Sequence, residues 1–348
     1  GLEPERLILH TTSGTSGEPL RVLRTFFEEY LLRAFRVREQ LAAGMRLTDR
    51  RLVFGLTDRA PGLERAPGAN PFYRKLGLLR SARIDVSLPP EEGLQRLRAL
   101  RAEVLGGSPS ALASVCGVFT PEDRAAIRPR LVITGGEMML PDMRRRIEET
   151  LRAPVVDFYG SHEFNLLAVE CPAGGCYHVV EWNLILEVVR DGRRAGEDEE
   201  GEVVATALHS YAMPFIRYRL NDLVRLGGAP CACGAQMRTL KRVVGRLIEQ
   251  FSLPGGRRVH PYSLLTPLLA VAPWIRRYQI VQDRIDHILL KVIPAEAPGV
   301  EQKAAAVRAI ERVLDGQARV ELAIVETIPP GPGGKQRPYY SLVATGGR

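Results

Sequence analysis

Residues 11–19 of this 348-residue chain read Thr-Thr-Ser-Gly-Thr-Ser-Gly-Glu-Pro. Thr11, Thr12, Ser13, Thr15 and Ser16 supply hydroxyls, while Gly14 and Gly17 let the backbone approach a ligand closely. Hydroxyls and backbone N–H groups donate to phosphate oxygens, so the composition suits a polyphosphate loop. It also suits a solvated turn, and the Walker A spacing with its lysine is absent. Glu163 follows the apolar run Val155–Tyr159, the place where α/β proteins keep active-site residues. One carboxylate plus substrate phosphates is an ordinary Mg²⁺ environment. Four of the five cysteines cluster: Cys171 and Cys176 with His178 nearby, then Cys231 and Cys233. In a cytoplasmic chain such clusters favour a metal over disulfides, and zinc takes four tetrahedral ligands, Cys3His among the common sets. Cys116 falls on a helical stretch and reads as core.

The elements that must position these residues alternate. Apolar residues at helical spacing predict a helix over 26–45, and residues 51–56 read as a strand. Residues 59–71 form a Gly/Pro/Ala-rich loop, helices are expected at 90–103 and 110–119, and 105–109 reads as a turn. Strand 130–134, helix 141–152 and strand 154–158 repeat the βαβ pattern of a parallel sheet. From about residue 168 short strands take over, clearest at 184–189, 202–207 and 215–218. Beyond Gly245, strands at 248–251, 278–281, 287–292 and 320–325 surround a helix at 299–314. The fold class is therefore α/β: a large N-terminal domain with mixed α/β sheets and a β-rich subdomain, plus a small C-terminal α+β domain. The expected domains are 1–245, the N-terminal core, and 246–348, the C-terminal domain.

Composition narrows the partners. The chain is 45% hydrophobic and 25% charged, with a net charge of +8. That charge suits anionic ligands, but the arginines are scattered and accompany no nucleic-acid module, so nucleic acid is not expected. No apolar stretch of about 18 residues and no signal-peptide pattern occurs, so neither membrane insertion nor export is expected, and a cytoplasmic location follows by default.

The loop at 11–19 resembles the Thr-Ser-Gly-Thr-Thr-Gly-x-Pro signature of the adenylate-forming superfamily of acyl- and aryl-CoA synthetases. Further matches follow in order. Ile133-Thr134-Gly135-Gly136-Glu137 is similar to the family's adenine-side loop, and Phe158-Tyr159-Gly160-Ser161-His162-Glu163 to its Tyr-Gly-x-Thr/Ser-Glu motif. Met213–Asp222 resembles the "MPxIRYRTxD" segment of the phenylacetate-CoA ligase and CapK-like branch. Gly245-Arg246 with Glu249 stands where the family has a Gly-Arg-x-x-Asp hinge, and residues 330–335 resemble its C-terminal lysine loop. The family also carries a helical segment ahead of the hydroxyl loop, and the chain as given reaches that loop almost at once.

The resemblance implies a function and a site. Thr12, Ser13, Gly14, Thr15, Ser16 and Gly17 would hold ATP phosphates; Gly135, Gly136 and Glu137 would shape the adenine slot. Phe158, Tyr159, Gly160 and Ser161 complete the nucleotide side, Tyr159 as an adenine stack. Glu163 would bind Mg²⁺, Asp222 would accept from the ribose hydroxyls, and Arg219 and Arg246 would hold phosphate or ribose. Arg217 is expected instead in a structural salt bridge. Lys335 would serve adenylation and withdraw as the small domain turns about Glu249. His162 departs from the family's Thr or Ser and is a candidate contact to the acyl phosphate or the substrate carboxylate. The branch's Glu-Cys…His and Cys-x-Cys-Gly segments imply zinc on Cys171, His178, Cys231 and Cys233, with Cys176 as the competing ligand. The implied reaction is ATP-dependent activation of a small aryl or acyl acid. Transfer to CoA or to the phosphopantetheine of an acyl carrier protein would follow. AMP transfer without a thioester, and an inactive descendant used for binding or assembly, are the alternatives. The oligomeric state is open, with a homodimer among the options.

Overall fold

The computed structural model describes residues 7–11, 20–55, 75–86, 88–228, 231–246, 250–259, 261–329 and 338–343. The described residues form two compact units: 7–220 with 224–243, and 221–223 with 244–329 and 338–343. No helix among them is long and apolar enough to cross a membrane.

In the first unit, strands β1 (Leu7–Thr11) and β2 (Arg21–Thr25) form an antiparallel pair joined by residues 12–20. The strands β3 (Arg51–Phe54), β4 (Ser81–Ile84), β5 (Val104–Gly107), β6 (Leu131–Gly135) and β7 (Val155–Tyr159) pair in parallel, in the order β4-β3-β5-β6-β7. Strands β8 (Ala168–Cys171) and β9 (Cys176–Val179) continue from β7 as an antiparallel hairpin. Beyond it lie β14 (Thr239–Arg246), β13 (Tyr218–Leu226), β12 (Glu200–Ala207), β10 (Leu184–Arg190) and β11 (Arg193–Arg194). Twelve described strands thus form one sheet, parallel at one end and antiparallel at the other.

The helices that cross between the parallel strands begin with local signals. Pro90, Pro109, Pro121 and Pro141 each open a helix, where the missing N–H costs nothing. Ser108 and Thr120 cap the second and third. Leu94, Leu97, Leu112, Val115, Cys116, Ile147 and Leu151 pack from these helices onto Leu52, Phe54, Leu105 and Val132 of the sheet. Burial pushes the Cys116 thiol up to about 12, as for an inert core cysteine. The opposite face is packed by Val104, Leu131, Ile133, Val156 and Phe158.

Three local expectations are corrected. Residues 105–107 belong to β5 rather than to a turn. Gly107 is small because a Cβ there would lie 2.9 Å from Phe54 Cβ, so the glycine serves close strand approach. The expected strand at 215–218 starts only at Tyr218: Phe215 turns inward against Phe164 and Tyr218, and Arg217 takes a left-handed φ of 47°. The helix expected over 26–45 spans Phe26–Ala42, but it does not bury its apolar residues as a simple amphipath would. It buries Glu28, Glu29, Glu39 and Gln40 beside Leu32, while Phe27 stays 71% exposed.

The second unit holds β15 (Phe251–Ser252) paired with β16 (Arg258–Val259), and a four-stranded sheet. That sheet runs β19 (Arg319–Ile324), β18 (His287–Pro294), β17 (Ile275–Arg284), β20 (Tyr339–Ser341). Helix Val300–Leu314 packs on helix Tyr262–Val271, which the sequence reading did not anticipate.

At the edge between β6 and β7 the fit is tight. A Cβ on Gly135 would lie 2.6 Å from the Phe158 carbonyl oxygen, a backbone atom that cannot swing aside. Gly135→Ala should therefore lower stability by about 1–3 kcal/mol, as overpacking does. Gly106→Ala, whose neighbours lie at 3.4 Å or beyond, should cost less. Urea melts of the two variants against the parent check the order.

Candidate active site

Parallel strands present their carboxyl ends on one edge, and that edge is where α/β folds bind ligands. Here it gathers Gly107-Ser108 at the end of β5, Gly135-Gly136-Glu137 at the end of β6 and Tyr159-Gly160-Ser161-His162-Glu163 at the end of β7. Gly136 adopts φ 81°, a left-handed turn that favours glycine. Glu137 turns back, and its Oε2 accepts from Ser110 N at 3.3 Å, tying the β6 loop to the start of helix Pro109–Cys116. After β7 the chain reverses at once. Ser161 Oγ accepts from Phe164 N at 3.3 Å, and Asn165 N donates to the Ser161 carbonyl at 2.8 Å. A Cβ on Gly160 would sit 2.3 Å from the Asn165 carbonyl oxygen, so the reversal needs glycine. Phe158 is 2% exposed and Tyr159 9%, both in core clusters. Phe158 can therefore reach a ligand only through its backbone.

This loop is clasped by the β1–β2 pair. Arg24, on β2, donates through Nη2 to the carbonyl oxygens of His162 and Glu163, the latter at 3.4 Å. Its Nη1 donates to Glu29 Oε2 at 3.1 Å. His10 Nε2 stands 2.9 Å from the same oxygen, and Arg33 Nε donates to Oε1 at 2.8 Å. Burial alone would raise the Glu29 carboxyl. The hydrogen bonds from His10 and Arg33 and the charge of Arg24 outweigh it, and hold the group well below the carboxylate range. His10 also faces His162, ring centres 6.5 Å apart. Both strands that bracket residues 12–20 are thereby fastened to the helix and, through Arg24, to the Glu163 loop. The Glu163 side chain is half-buried, and among the described residues no hydrogen bond or ion pair engages its carboxylate. Helix Phe26–Ala42 is itself anchored: Glu28 N donates to Thr25 Oγ1 at 3.2 Å, and Glu28 Oε1 accepts from Tyr211 N and Ala212 N.

On the far side of β7 a second cluster forms. Cys171, His178, Cys231 and Cys233 bring one donor atom each within 4.8 Å of one another. Cys171 Sγ and Cys231 Sγ are 3.7 Å apart, and Cys233 Sγ is 3.3 Å from His178 Nε2. A tetrahedral zinc with bonds of about 2.0–2.3 Å separates its ligand atoms by roughly 3.3–3.8 Å, so the donors fit that ion. Cys176 Sγ also stands 3.5 Å from Cys231 Sγ, close enough to compete. A Cβ on Gly174 would lie 2.1 Å from Cys231 Sγ, so the turn closing the β8–β9 hairpin must be glycine for the sulfurs to meet. The same hairpin grips the base of the strand-end site. Tyr177 Oη donates to Asp157 Oδ2 at 2.9 Å, and Thr134 Oγ1 to Oδ1 at 2.6 Å. Glu170 accepts from Asp157 N at 2.9 Å and from Arg144.

The remaining candidates are dispersed. Asp222 lies half-buried on β13. Arg219 is ion-paired with buried Glu202, and Arg217 with Glu187. Arg246 ends β14, its side chain outside the described residues, as are Thr12 to Gly17, Glu249 and Lys335.

Residues 252–340 match the family model of the CapK C-terminal domain. A phenylacetate-coenzyme A ligase of Pseudomonas putida is 26% identical over 287 residues, 80% of this chain and 63% of the relative. That of Escherichia coli K12 is 29% identical over 171 residues, 48% and 38% of the two chains. The chain is thus similar to the phenylacetate-CoA ligase and CapK-like branch of the adenylate-forming superfamily. It spans less than two thirds of the length of these curated relatives. The fold agrees: the structure of 2-hydroxyisobutyryl-CoA ligase with R3-HIB-AMP, in the postadenylation state, superposes with a TM-score of 0.78 at 21% identity. The match covers 98% of this chain and 74% of that one.

Within this fold, the motifs at 133–137 and 158–163 meet at adjacent strand ends. The clasp made by His10, Arg24 and Glu29 was missed from sequence, because no motif marks these residues and their partners lie far along the chain. It carries a pH signature. A carboxylate depressed on folding contributes stability above its unfolded pKa of about 4.3 and loses it as pH falls below that value. The stability gap between parent and Glu29→Gln should therefore be widest near neutral pH and shrink progressively below about pH 4. Urea melts across pH 3–7 measure it; a constant gap would show that the charge of Glu29 is not what holds the clasp.

Proposed function

We propose that this chain activates a carboxylic acid with ATP, forming an acyl-adenylate and pyrophosphate, and then passes the acyl group to the thiol of CoA or of a carrier protein's phosphopantetheine. The observation that carries this reading is the Arg24 clasp, which joins the strand leaving the hydroxyl loop to the backbone of His162 and Glu163. Attack of a carboxylate on the α-phosphorus needs the polyphosphate and the acid held beside one another, with the developing charge neutralised.

In this reading Thr12 to Gly17 donate to the polyphosphate, and Gly135, Gly136 and Glu137 border the adenine with Tyr159, Gly160 and Ser161. Asp222 accepts from the ribose hydroxyls. Glu163, its carboxylate not engaged among the described residues, holds Mg²⁺ with the phosphates. Bound there, the ion neutralises phosphate charge. Arg246 offers a cation to phosphate or ribose, as does Arg219 in exchange for Glu202. His162 orients the acid at the end of β7. Residues 246–348 act as the mobile domain, turning about Glu249, with Lys335 serving adenylation before the thiol step.

Purified protein with Mg²⁺ and a cognate acid should exchange labelled pyrophosphate into ATP. Glu163→Gln should slow exchange by about 100-fold or more, as for loss of a group that stabilises transition-state charge. Exchange at the parental rate in that variant would remove Glu163 from the metal role. Silence across aryl, aliphatic and amino acids would remove the adenylation reading itself.

We also propose that Cys171, His178, Cys231 and Cys233 hold a structural zinc, supported by the spacing of their donor atoms. Elemental analysis should find about one zinc per chain, and chelation should lower the melting temperature, because ligand binding and folding are linked. Cys233→Ser should lose the metal, whereas Cys176→Ser and Cys116→Ser should retain it. Retention in Cys233→Ser with loss in Cys176→Ser would exchange the two assignments.

A further inference from the structure

Helix Phe26–Ala42 carries Arg36 and Gln40 one turn apart on the same face. Arg36 reaches the end of β7: its Nε and Nη2 donate to the Oδ1 and carbonyl oxygen of Asn165 at 2.9 and 2.7 Å. The same Nη2 lies 3.4 Å from where a Cβ on Gly160 would stand. Arg51, from β3, rises to meet the helix, its Nη1 donating to Gln40 Oε1 at 3.2 Å. Its Nε lies 3.7 Å from the Cβ position of Gly106 on β5. Arg83, exposed on the neighbouring β4, runs its Cδ within 3.8 Å of the Cβ position of Gly55, just past β3. Three guanidinium side chains thus approach glycines at or beside the carboxyl ends of β3, β5 and β7.

Of these, Arg36 and Arg51 are the two withdrawn from solvent. Among the described residues no carboxylate forms an ion pair with Arg36 or Arg51. Glu29, whose charge reaches Arg36, is already engaged by His10, Arg24 and Arg33. Burial first, then repulsion from neighbouring arginines, draws both guanidiniums down to about 10. The Nε of Arg51 is buried and has no hydrogen-bond acceptor among the described residues. A buried donor on a cation calls for an anion, and the planar fork of arginine suits a carboxylate.

We propose that Arg51 and Arg36 form an anion subsite in the acyl pocket, so that the acid this chain activates carries a second carboxylate, or an equivalent oxyanion, remote from the reacting one. The inference rests on the adenylation reading, which places the reacting carboxylate by His162 and Glu163 after β7. Two strand spacings separate β7 from β5, roughly 10 Å. A benzene ring or a short alkyl chain between two carboxylates matches that span once a guanidinium hydrogen bond is added at the far end.

Pyrophosphate exchange with matched acids tests it: hexanedioate against hexanoate, and benzene-1,4-dicarboxylate against benzoate. The diacid of at least one pair should show a kcat/KM higher by about ten- to a hundredfold, the range for hydrogen bonds to a charged group. Arg51→Met should abolish that preference with the KM for ATP unchanged, and Arg51→Lys should restore part of it. Gly106→Ala, which puts a methyl beside Arg51 without altering charge, should slow the diacid more than the monoacid and serves if Arg51→Met does not fold. Exchange with monoacids in preference to diacids would overturn the inference while adenylation stood. So would an Arg51→Met or Gly106→Ala effect equal for both acids, or one confined to the KM for ATP. Exchange with no acid at all would overturn both.

Discussion

A guanidinium withdrawn from water needs acceptors, and the two terminal nitrogens of Arg24 find them on two separate elements. Its side chain is 5% exposed and that of Glu29 9%, so both charges are desolvated. Such a pair adds little net stability over an apolar replacement, yet removing one partner costs about 3–5 kcal/mol, because the other charge is then stranded. The arrangement therefore acts less as a source of stability than as a constraint on geometry. The two strands beside the hydroxyl loop cannot move relative to the carbonyls of His162 and Glu163 without stranding a charge. This constraint also explains why helix Phe26–Ala42 turns its acids inward while Phe26 and Phe27 face solvent.

The strand ends obey a second constraint, steric rather than electrostatic. Gly107, Gly135 and Gly160 stand where a Cβ would press on the next element, at 2.9, 2.6 and 2.3 Å. Close backbone approach at the carboxyl edge leaves N–H and carbonyl groups there without side chains over them, which is what a nucleotide-binding edge requires. The residues that remain large are turned inward, as with Phe158, so the edge is largely a backbone surface with His162 and Glu163, both half-buried, on the loop after β7.

Behind that edge, the β8–β9 hairpin links two sites that a sequence lists separately. Cys171 and His178 lie on the hairpin that also carries Glu170 and Tyr177, and these two hold Asp157 in the middle of β7. Burial raises the Asp157 carboxyl despite the hydroxyls of Thr134 and Tyr177. The network is thus a buried polar contact whose members must all be satisfied together. Ordering the cysteine turn orders the strand that ends in the Tyr159 loop.

Much of this was legible in the sequence because much of it is local. Prolines at the first helical turn, hydroxyl caps and glycines at tight reversals act within a few residues. Hence the βαβ alternation could be read before any contact was known, while the strand-end motifs and the Cys171, His178, Cys231 and Cys233 set, with Cys176 competing, came from the family resemblance. Where local signals mislead, the tertiary structure intervenes. Gly106-Gly107 reads as a turn but lies in a strand, since at Gly107 closeness to β3 rather than reversal demands glycine. The arginines were not legible at all. Arg24 meets His162, and Arg36 meets Asn165, across 138 and 129 residues of chain, through long side chains whose targets are backbone carbonyls that any residue carries. The sequence by itself determined which residues could bend, cap and donate. Only the folding of one sheet edge beneath one helix decided which buried cation would face which carbonyl, because that pairing depends on desolvation, and desolvation exists only once the layers have closed.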